Sequence, residues 1–230
     1  MDPMTTIMRM PTHIRMITDP STARLTLLQW VSPAFPVSAF AYSHGLETVI
    51  ADGRIKDAQS LERWVWALLD AGSGRTDGTL LSLACRRQMP LADIAELAEA
   101  LAASRERWDE TRDMGGAFLR TTESLGSEPL PDLPYPVAFG ARAAALNLPV
   151  TEILATYLHG FAANLIAVAV RFVPLGQTEG QQVLAGLGPR IGALAEELAD
   201  AGPEDIRSSV PAADMAALQH ETLDVRLFKT

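Results

Sequence analysis

The chain has 230 residues, and 48% of them are hydrophobic, which is enough to bury a substantial core within one domain. Its formal net charge is −9. This charge excludes a basic surface for nucleic acid or an anionic membrane, so neither is expected as a partner. The single cysteine, Cys85, excludes an internal disulfide and indicates a reducing, cytoplasmic setting.

The N-terminal segment carries no continuous apolar stretch of the kind that targets or anchors a chain. We therefore predict a disordered tail over residues 1–22. The most apolar run, Phe161–Val170, is also too short to cross a bilayer, since a membrane-spanning helix needs about 20 apolar residues.

Apolar residues recur at spacings of three and four along most of the chain, and this periodicity predicts an all-α fold. We expect a single-domain helical bundle over residues 23–224. The predicted helices are Ala23–Val31, Phe40–Ala51, Ser60–Ala71, Thr76–Gln88, Leu91–Arg105, Glu106–Leu125, Val137–Leu146, Val150–Val173, Gly180–Ala199 and Ala212–Asp224. The helix Val150–Val173 is apolar nearly all round, so it is predicted to be the buried centre of the bundle.

The segment Ser32–Glu47 is unusually rich in aromatic and polar residues. If a helix begins at Phe40, then Phe40, His44 and Glu47 share the face opposite the apolar one. That face fits either a surface ion pair between His44 and Glu47 or a docking surface. Ser43 and His44 do not suggest a catalytic pair, because adjacent side chains on a helix diverge by about 100°.

Three further stretches have residue patterns that could indicate a functional site. His220, Glu221 and Asp224 have the spacing of a helical metal site, although a solvated helix face gives the same pattern. The Gly72–Gly78 segment lacks a phosphate-binding pattern, which argues against nucleotide hydrolysis. The alternating charges of Ser104–Asp113 are typical of a solvated helix face.

Three segments, in this order, resemble the signatures of the UreF family of urease accessory proteins. They are SPAFPVSAFAYSHGLE (Ser32–Glu47), AVRFVPLGQTEGQ (Ala169–Gln181) and SSVPAADMAALQHETLDVRLFKT (Ser208–Thr230). The resemblance implies an all-helical, often dimeric chaperone that is not an enzyme and needs no cofactor. It further implies that the chain binds UreD, also called UreH, and recruits and regulates the GTPase UreG, so that nickel enters apo-urease.

The resemblance also implies which residues dock partners. They are Phe40, Tyr42, Ser43, His44, Gly45, Glu47, Gln177, His220, Glu221, Arg226, Leu227 and Phe228. The last six residues, 225–230, are predicted to be a mobile tail that orders on a partner. The family usually has glycine at the position of Ser38 and serine at that of Ala41, so the turn into the following helix is expected to differ.

Two other functions remain open from the residues alone. One is a metal-dependent hydrolase that uses His220, Glu221 and Asp224, with His44 as an optional further residue. The other is a helical adaptor unrelated to urease.

Overall fold

Helices joined by short loops make up the fold, and the computed structural model describes residues 19–39, 42–206 and 210–220. No strand occurs in these ranges, and the helices form one compact domain, so the all-α prediction is confirmed. The helices are α1 (Pro20–Trp30), α2 (Leu46–Ala51), α3 (Ala58–Ala71), α4 (Ser73–Arg86), α5 (Leu91–Ala100), α6 (Arg105–Ser124), α7 (Tyr135–Ala143), α8 (Val150–Ala169), α9 (Gln177–Ala199) and α10 (Pro211–His220), with a 3-10 turn at Pro203–Asp205.

The first helix begins earlier than predicted, because Asp19 caps it. The Asp19 carboxylate accepts a hydrogen bond from the Thr22 backbone N–H at 2.9 Å, which satisfies a donor in the first helical turn. Residues 20–22 are therefore helical and do not belong to the predicted tail. The rest of that tail, residues 1–18, and the predicted C-terminal tail, 225–230, lie outside the described residues.

The predicted helix Phe40–Ala51 is wrong in its first half, because α2 contains only Leu46–Ala51. His44 and Gly45 have φ angles of 51° and 73°, which lie in the left-handed region and cannot continue a right-handed helix. The chain before α2 instead forms turns. The assumption that His44 and Glu47 share one exposed helix face therefore fails.

Two helices occupy the centre of the domain. The predicted central helix, α8, contacts α1, α2, α3, α4 and α9. Every residue from Gly74 to Ala84 on α4 is buried, although this helix carries several polar side chains. Hydrogen bonds satisfy them: the Ser82 hydroxyl, for example, donates to the Ala199 carbonyl at 2.9 Å.

Within the described ranges, α8 is also the one helix whose length and apolar character would suffice for a bilayer crossing. It contains all but the last residue of the apolar run Phe161–Val170, which alone is too short to cross a bilayer. Half of this stretch is buried against the rest of the protein, as in the core helix of a globular fold.

Aromatic rings join four of the helices. Trp30 on α1 lies edge-on to Phe118 on α6, with ring centroids 5.3 Å apart, and Phe118 stacks on Phe139 of α7 at 5.4 Å. Phe139 in turn meets Tyr157 of α8 at 5.2 Å. Such pairs stabilise a core beyond their burial alone, so this cluster fixes α6 and α8 relative to each other.

Two adjacent glycines on α6 provide a test of this packing. A Cβ at Gly115 would overlap the Leu133 carbonyl oxygen, whereas one at Gly116 would meet only the flexible end of Arg120. We expect Gly115→Ala to lower the free energy of unfolding by about 1–3 kcal/mol through overpacking. Gly116→Ala, the matched control, should leave it unchanged or raise it by up to about 1 kcal/mol. Denaturant unfolding measures both, and equal stabilities would contradict the close approach.

Candidate functional site

Four ionisable side chains meet in the interior where α4, α6 and the turn before α2 come together. Arg107 binds Asp77 through Nη2 and Oδ2 at 2.6 Å, and Glu110 through Nη1 and Oε1 at 2.8 Å. The same Glu110 oxygen lies 3.2 Å from His44 Nε2. The side chains of Glu110 and His44 are only 2% and 8% exposed. We call these four residues the buried charge cluster.

Three neighbouring groups hold the cluster in position. The Ser104 hydroxyl caps α6 by accepting the Arg107 backbone N–H at 3.1 Å, which sets where this helix begins. The Tyr157 hydroxyl on α8 donates to Asp77 Oδ2 at 3.1 Å. On the other side of the cluster, Ser73 Oγ lies 3.5 Å from His44 Nδ1. The cluster therefore ties together α4, α6, α8 and the turn at His44.

The electrostatics keep the cluster ionised. Burial raises the pKa of Glu110, but the charge of Arg107 and the contact with His44 outweigh burial and bring that pKa down to about 2. Burial lowers the pKa of Arg107, and the two carboxylates more than reverse this, so its pKa lies above the usual value. Burial raises the pKa of Tyr157 well above 10, so it remains a hydrogen-bond donor to Asp77.

The segment of residues 32–45, of which 40 and 41 are not described, runs between α6 and α8, and we call it the signature loop. The Asn164 side-chain amide on α8 donates to the Ala39 carbonyl at 2.8 Å. Phe35 lies 5.7 Å from Phe118, and the His44 ring lies 4.8 Å from that of Phe161, centroid to centroid. Contacts with α6 and α8 at several points therefore hold the signature loop in place.

A cavity of about 390 Å³ lies beneath the signature loop. Loop residues such as Phe35 and His44 form one wall, and α1, α6 and α8 form the others. Arg171, from the segment Ala169–Gln181, reaches the same cavity. The first and second signature segments therefore both line this cavity.

The docking residues predicted before α2 are largely buried. Tyr42 and Ser43 are buried, and Glu47 is half-buried in the first turn of α2, where its backbone N–H donates to Ser43 Oγ at 3.4 Å. Burial and nearby carboxylates, led by Glu110, raise the pKa of Tyr42 to about 12. The predicted exposed docking face is therefore wrong for these side chains, which shape the turn from inside.

The other predicted docking residues are spread over separate helices. Gln177 is exposed at the first position of α9, and His220 is the last residue of α10. Helix α10 packs on α2, where the Thr48 hydroxyl donates to the Ala216 carbonyl at 3.2 Å. The third signature segment therefore packs on α2, the helix that the first segment enters at Leu46. The predicted residues outside the described ranges are Phe40, Glu221, Arg226, Leu227 and Phe228.

Sequence reasoning missed the partners of His44. The charges of Ser104–Asp113 suggested a solvated face, yet Arg107 and Glu110 point into the core. One signal was present: Glu110 precedes Met114 and Phe118 at steps of four, on the buried stripe of α6. Asp77 lies in the glycine-rich segment Gly72–Gly78, which has no phosphate-binding pattern and so indicated no site.

The cluster does not have the geometry of a nucleophilic centre. Ser73, His44 and Glu110 follow one another as hydroxyl, imidazole and carboxylate, but the 3.5 Å separation at Ser73 is at the limit of a hydrogen bond. Arg107 already neutralises the carboxylate. In the described part of the chain, no three His, Cys, Asp or Glu side chains are placed to hold a metal ion. The arrangement is suited to positioning the signature loop.

The fold and site define an all-helical protein in which a buried charge cluster holds the first signature segment against α4, α6 and α8. The sequence model of the UreF family matches residues 55–188. Urease accessory protein UreF of Cereibacter sphaeroides is 53% identical over 210 residues, which cover 91% of this chain and 100% of that protein. Its counterpart in Dinoroseobacter shibae is 52% identical over 208 residues, covering 90% and 99%, and urease accessory protein UreF 1 of Brucella canis is 42% identical over 219, covering 92% and 96%. The chain belongs to the UreF family.

Breaking the cluster should be costly, whereas a neighbouring surface pair should matter little. Glu110→Ala leaves Arg107 buried with one partner fewer, and removing one member of a buried pair costs about 3–5 kcal/mol of unfolding free energy. Asp109→Ala removes a half-exposed carboxylate on the same helix and should change that energy by at most about 1 kcal/mol. Denaturant unfolding compares the variants, and similar losses would contradict the cluster's structural role.

The lowered pKa of Glu110 also predicts a pH dependence. A carboxylate with a depressed folded-state pKa stabilises the fold fully above its unfolded value near 4.5 and loses this effect as pH falls through about 2. Wild-type stability should therefore fall between pH 4.5 and 2 more steeply than that of Glu110→Gln. Thermal unfolding across this range measures the difference, and parallel curves would exclude a depressed pKa.

Proposed function

We propose that this chain is a chaperone of urease maturation and not an enzyme. In this role it binds UreD, also called UreH, then recruits the GTPase UreG and regulates its GTP hydrolysis, so that nickel is inserted into apo-urease. It works as a homodimer in the cytoplasm and needs no cofactor of its own. Membership of a urease accessory family supports this role.

The observation that carries the proposal is the convergence of the signature segments. The first and second segments border one cavity, and the third packs on α2, the helix that the first segment enters. The described residues show no catalytic geometry among them. A binding scaffold must hold separate segments in a fixed surface, because recognition requires a defined shape, and it does not need a reaction centre.

The proposal assigns two kinds of docking residue. Tyr42, Ser43, His44, Gly45 and Glu47 act indirectly, because they set the path of the signature loop and hence the surface that partners meet. The other assigned residues contact partners directly in this proposal. They are Phe40, Gln177, His220, Glu221, Arg226, Leu227 and Phe228. Arginine and aromatic residues often dominate binding energy, and the C-terminal segment offers both.

No specific observation supports either of the two alternative functions, the hydrolase or the unrelated adaptor. The hydrolase hypothesis uses His220, Glu221 and Asp224, and the last two of these lie outside the described ranges. Its optional further ligand, His44, faces Glu110 through Nε2 within the buried charge cluster. Similarity over most of the chain to proteins named as urease accessory proteins argues against an adaptor unrelated to urease.

The proposal is tested by capture of purified UreD and UreG on the full-length chain. Replacing Arg226, Leu227 and Phe228 together by alanine should reduce capture of UreD at least about tenfold if these side chains are the main anchor. Lys229→Ala with Thr230→Ala, in the same segment, is the control and should bind normally. UreG should hydrolyse GTP at a different rate in the assembled complex, while the chain alone hydrolyses none.

Failure of the wild-type chain to capture either protein would contradict the proposed function. Normal capture by the triple variant would instead show that the anchor lies elsewhere on the chain.

A further inference from the structure

The cavity beneath the signature loop has a chemical character that loop positioning does not require. Five aromatic side chains line it, namely Trp30, Phe35, Tyr135, Tyr157 and Phe161. Asp77, Arg107 and Glu110 of the buried charge cluster also line it. Aromatic walls combined with carboxylates are the surroundings in which proteins bind organic cations, because ring faces carry negative charge density.

An unpartnered hydroxyl points to a missing ligand. Thr111 is 6% exposed and lines the cavity, and its Oγ1 has no hydrogen-bond partner among the described residues. Both hydrogen bonds that Asp77 accepts within the described structure reach Oδ2, from Arg107 and Tyr157. Asp77 Oδ1 is therefore still an acceptor. Buried polar groups in native proteins normally have partners, so a hydrogen-bonding guest would complete this site.

The charges lining the cavity favour a cationic guest. Among the buried lining groups, the two carboxylates of Asp77 and Glu110 face the single guanidinium of Arg107, and Asp77 Oδ1 accepts no hydrogen bond within the described structure. Arg171 and His159 are the other basic lining groups, and both are exposed, where water and salt screen their effect. The buried carboxylates act at shorter range and in a lower dielectric.

We propose that this cavity is a docking pocket for an arginine or lysine side chain of a partner protein. This docking proposal rests on the proposed function, because the partner is one of the proteins that assemble on this chain. The aliphatic stem of the guest would lie against the aromatic walls, and its cationic head would reach Asp77, Glu110 and Thr111. Leu28, which is 57% exposed while lining the cavity, offers apolar surface for residues beside the cation.

A small-molecule probe tests the chemistry of the pocket without any partner. Phenethylamine, phenethyl alcohol and phenylacetate share a ring and differ in charge. The methyl resonance of Met114, which lines the cavity, reports binding in full-length protein labelled with methyl-13C methionine, and exposed Met215 is the internal control. We expect phenethylamine to shift Met114 selectively and to bind about tenfold more tightly than the alcohol, with phenylacetate weaker still.

Two isosteric variants separate a binding role from a structural one. Thr111→Val removes an unpartnered hydroxyl, so it should raise the thermal midpoint or leave it unchanged while weakening phenethylamine binding. Glu110→Gln should abolish the preference for the amine over the alcohol. Equal binding of all three probes, no shift of Met114, or unchanged amine binding in both variants would overturn the proposal.

A cavity-filling variant tests the partner. Ala163→Leu adds bulk on the α8 wall of the cavity, and Ala185→Leu makes the same change at an exposed site on α9 that does not line it. We expect Ala163→Leu to reduce capture of UreD or UreG at least about tenfold, and Ala185→Leu to have no effect.

The outcomes distinguish this proposal from the broader one. Normal capture by a folded Ala163→Leu protein would overturn the docking pocket and leave the chaperone function standing. A wild-type chain that captures neither partner would contradict both the chaperone function and the docking pocket. The probe results would then describe only the chemistry of the cavity.

Discussion

The contact on which this structure depends most is that of Glu110 with Arg107 and His44. One carboxylate oxygen receives both groups in the interior, 2.8 Å from the guanidinium and 3.2 Å from the imidazole. Burying these charges is unfavourable, and their mutual attraction offsets the loss of hydration only because each has a partner. The path of the chain before α2 follows from this contact, since His44 adopts a left-handed φ of 51° that is costly for a residue with a side chain.

The contact of Glu110 with Arg107 and His44 also determines how the chain is arranged nearer the surface. With His44 fixed, Gly45 turns the chain into α2, and α2 receives α10 through the hydrogen bond from Thr48 to Ala216. The signature loop then crosses between α6 and α8 and closes the cavity. Buried polar networks favour one arrangement over its alternatives, because each partner satisfies the others only in that arrangement. A surface built this way suits recognition, which needs precise shape more than mobility.

Much of the fold followed from the sequence, because helix periodicity and end signals are local. The apolar character of α8 predicted its central position, and the predicted end of the third helix at Ala71 agrees with the end of α3. The site was harder to predict, because its geometry depends on contacts between residues far apart in the chain. Nothing near His44 in the sequence reveals that Glu110 lies beside it, and the helical reading of Phe40–Ala51 failed because a distant carboxylate holds His44 in a turn.

Hydrogen exchange in Glu110→Leu tests the central claim most directly, namely that the buried charge cluster holds the signature loop in place. The amides of Tyr42 and Leu46 donate to Ala39 and Ser43 in the turns that His44 stabilises. The account predicts that these two amides exchange faster in the variant than in the wild-type protein, while amides in the middle of α9 keep their protection. Unchanged exchange at Tyr42 and Leu46 in a folded Glu110→Leu protein would contradict it.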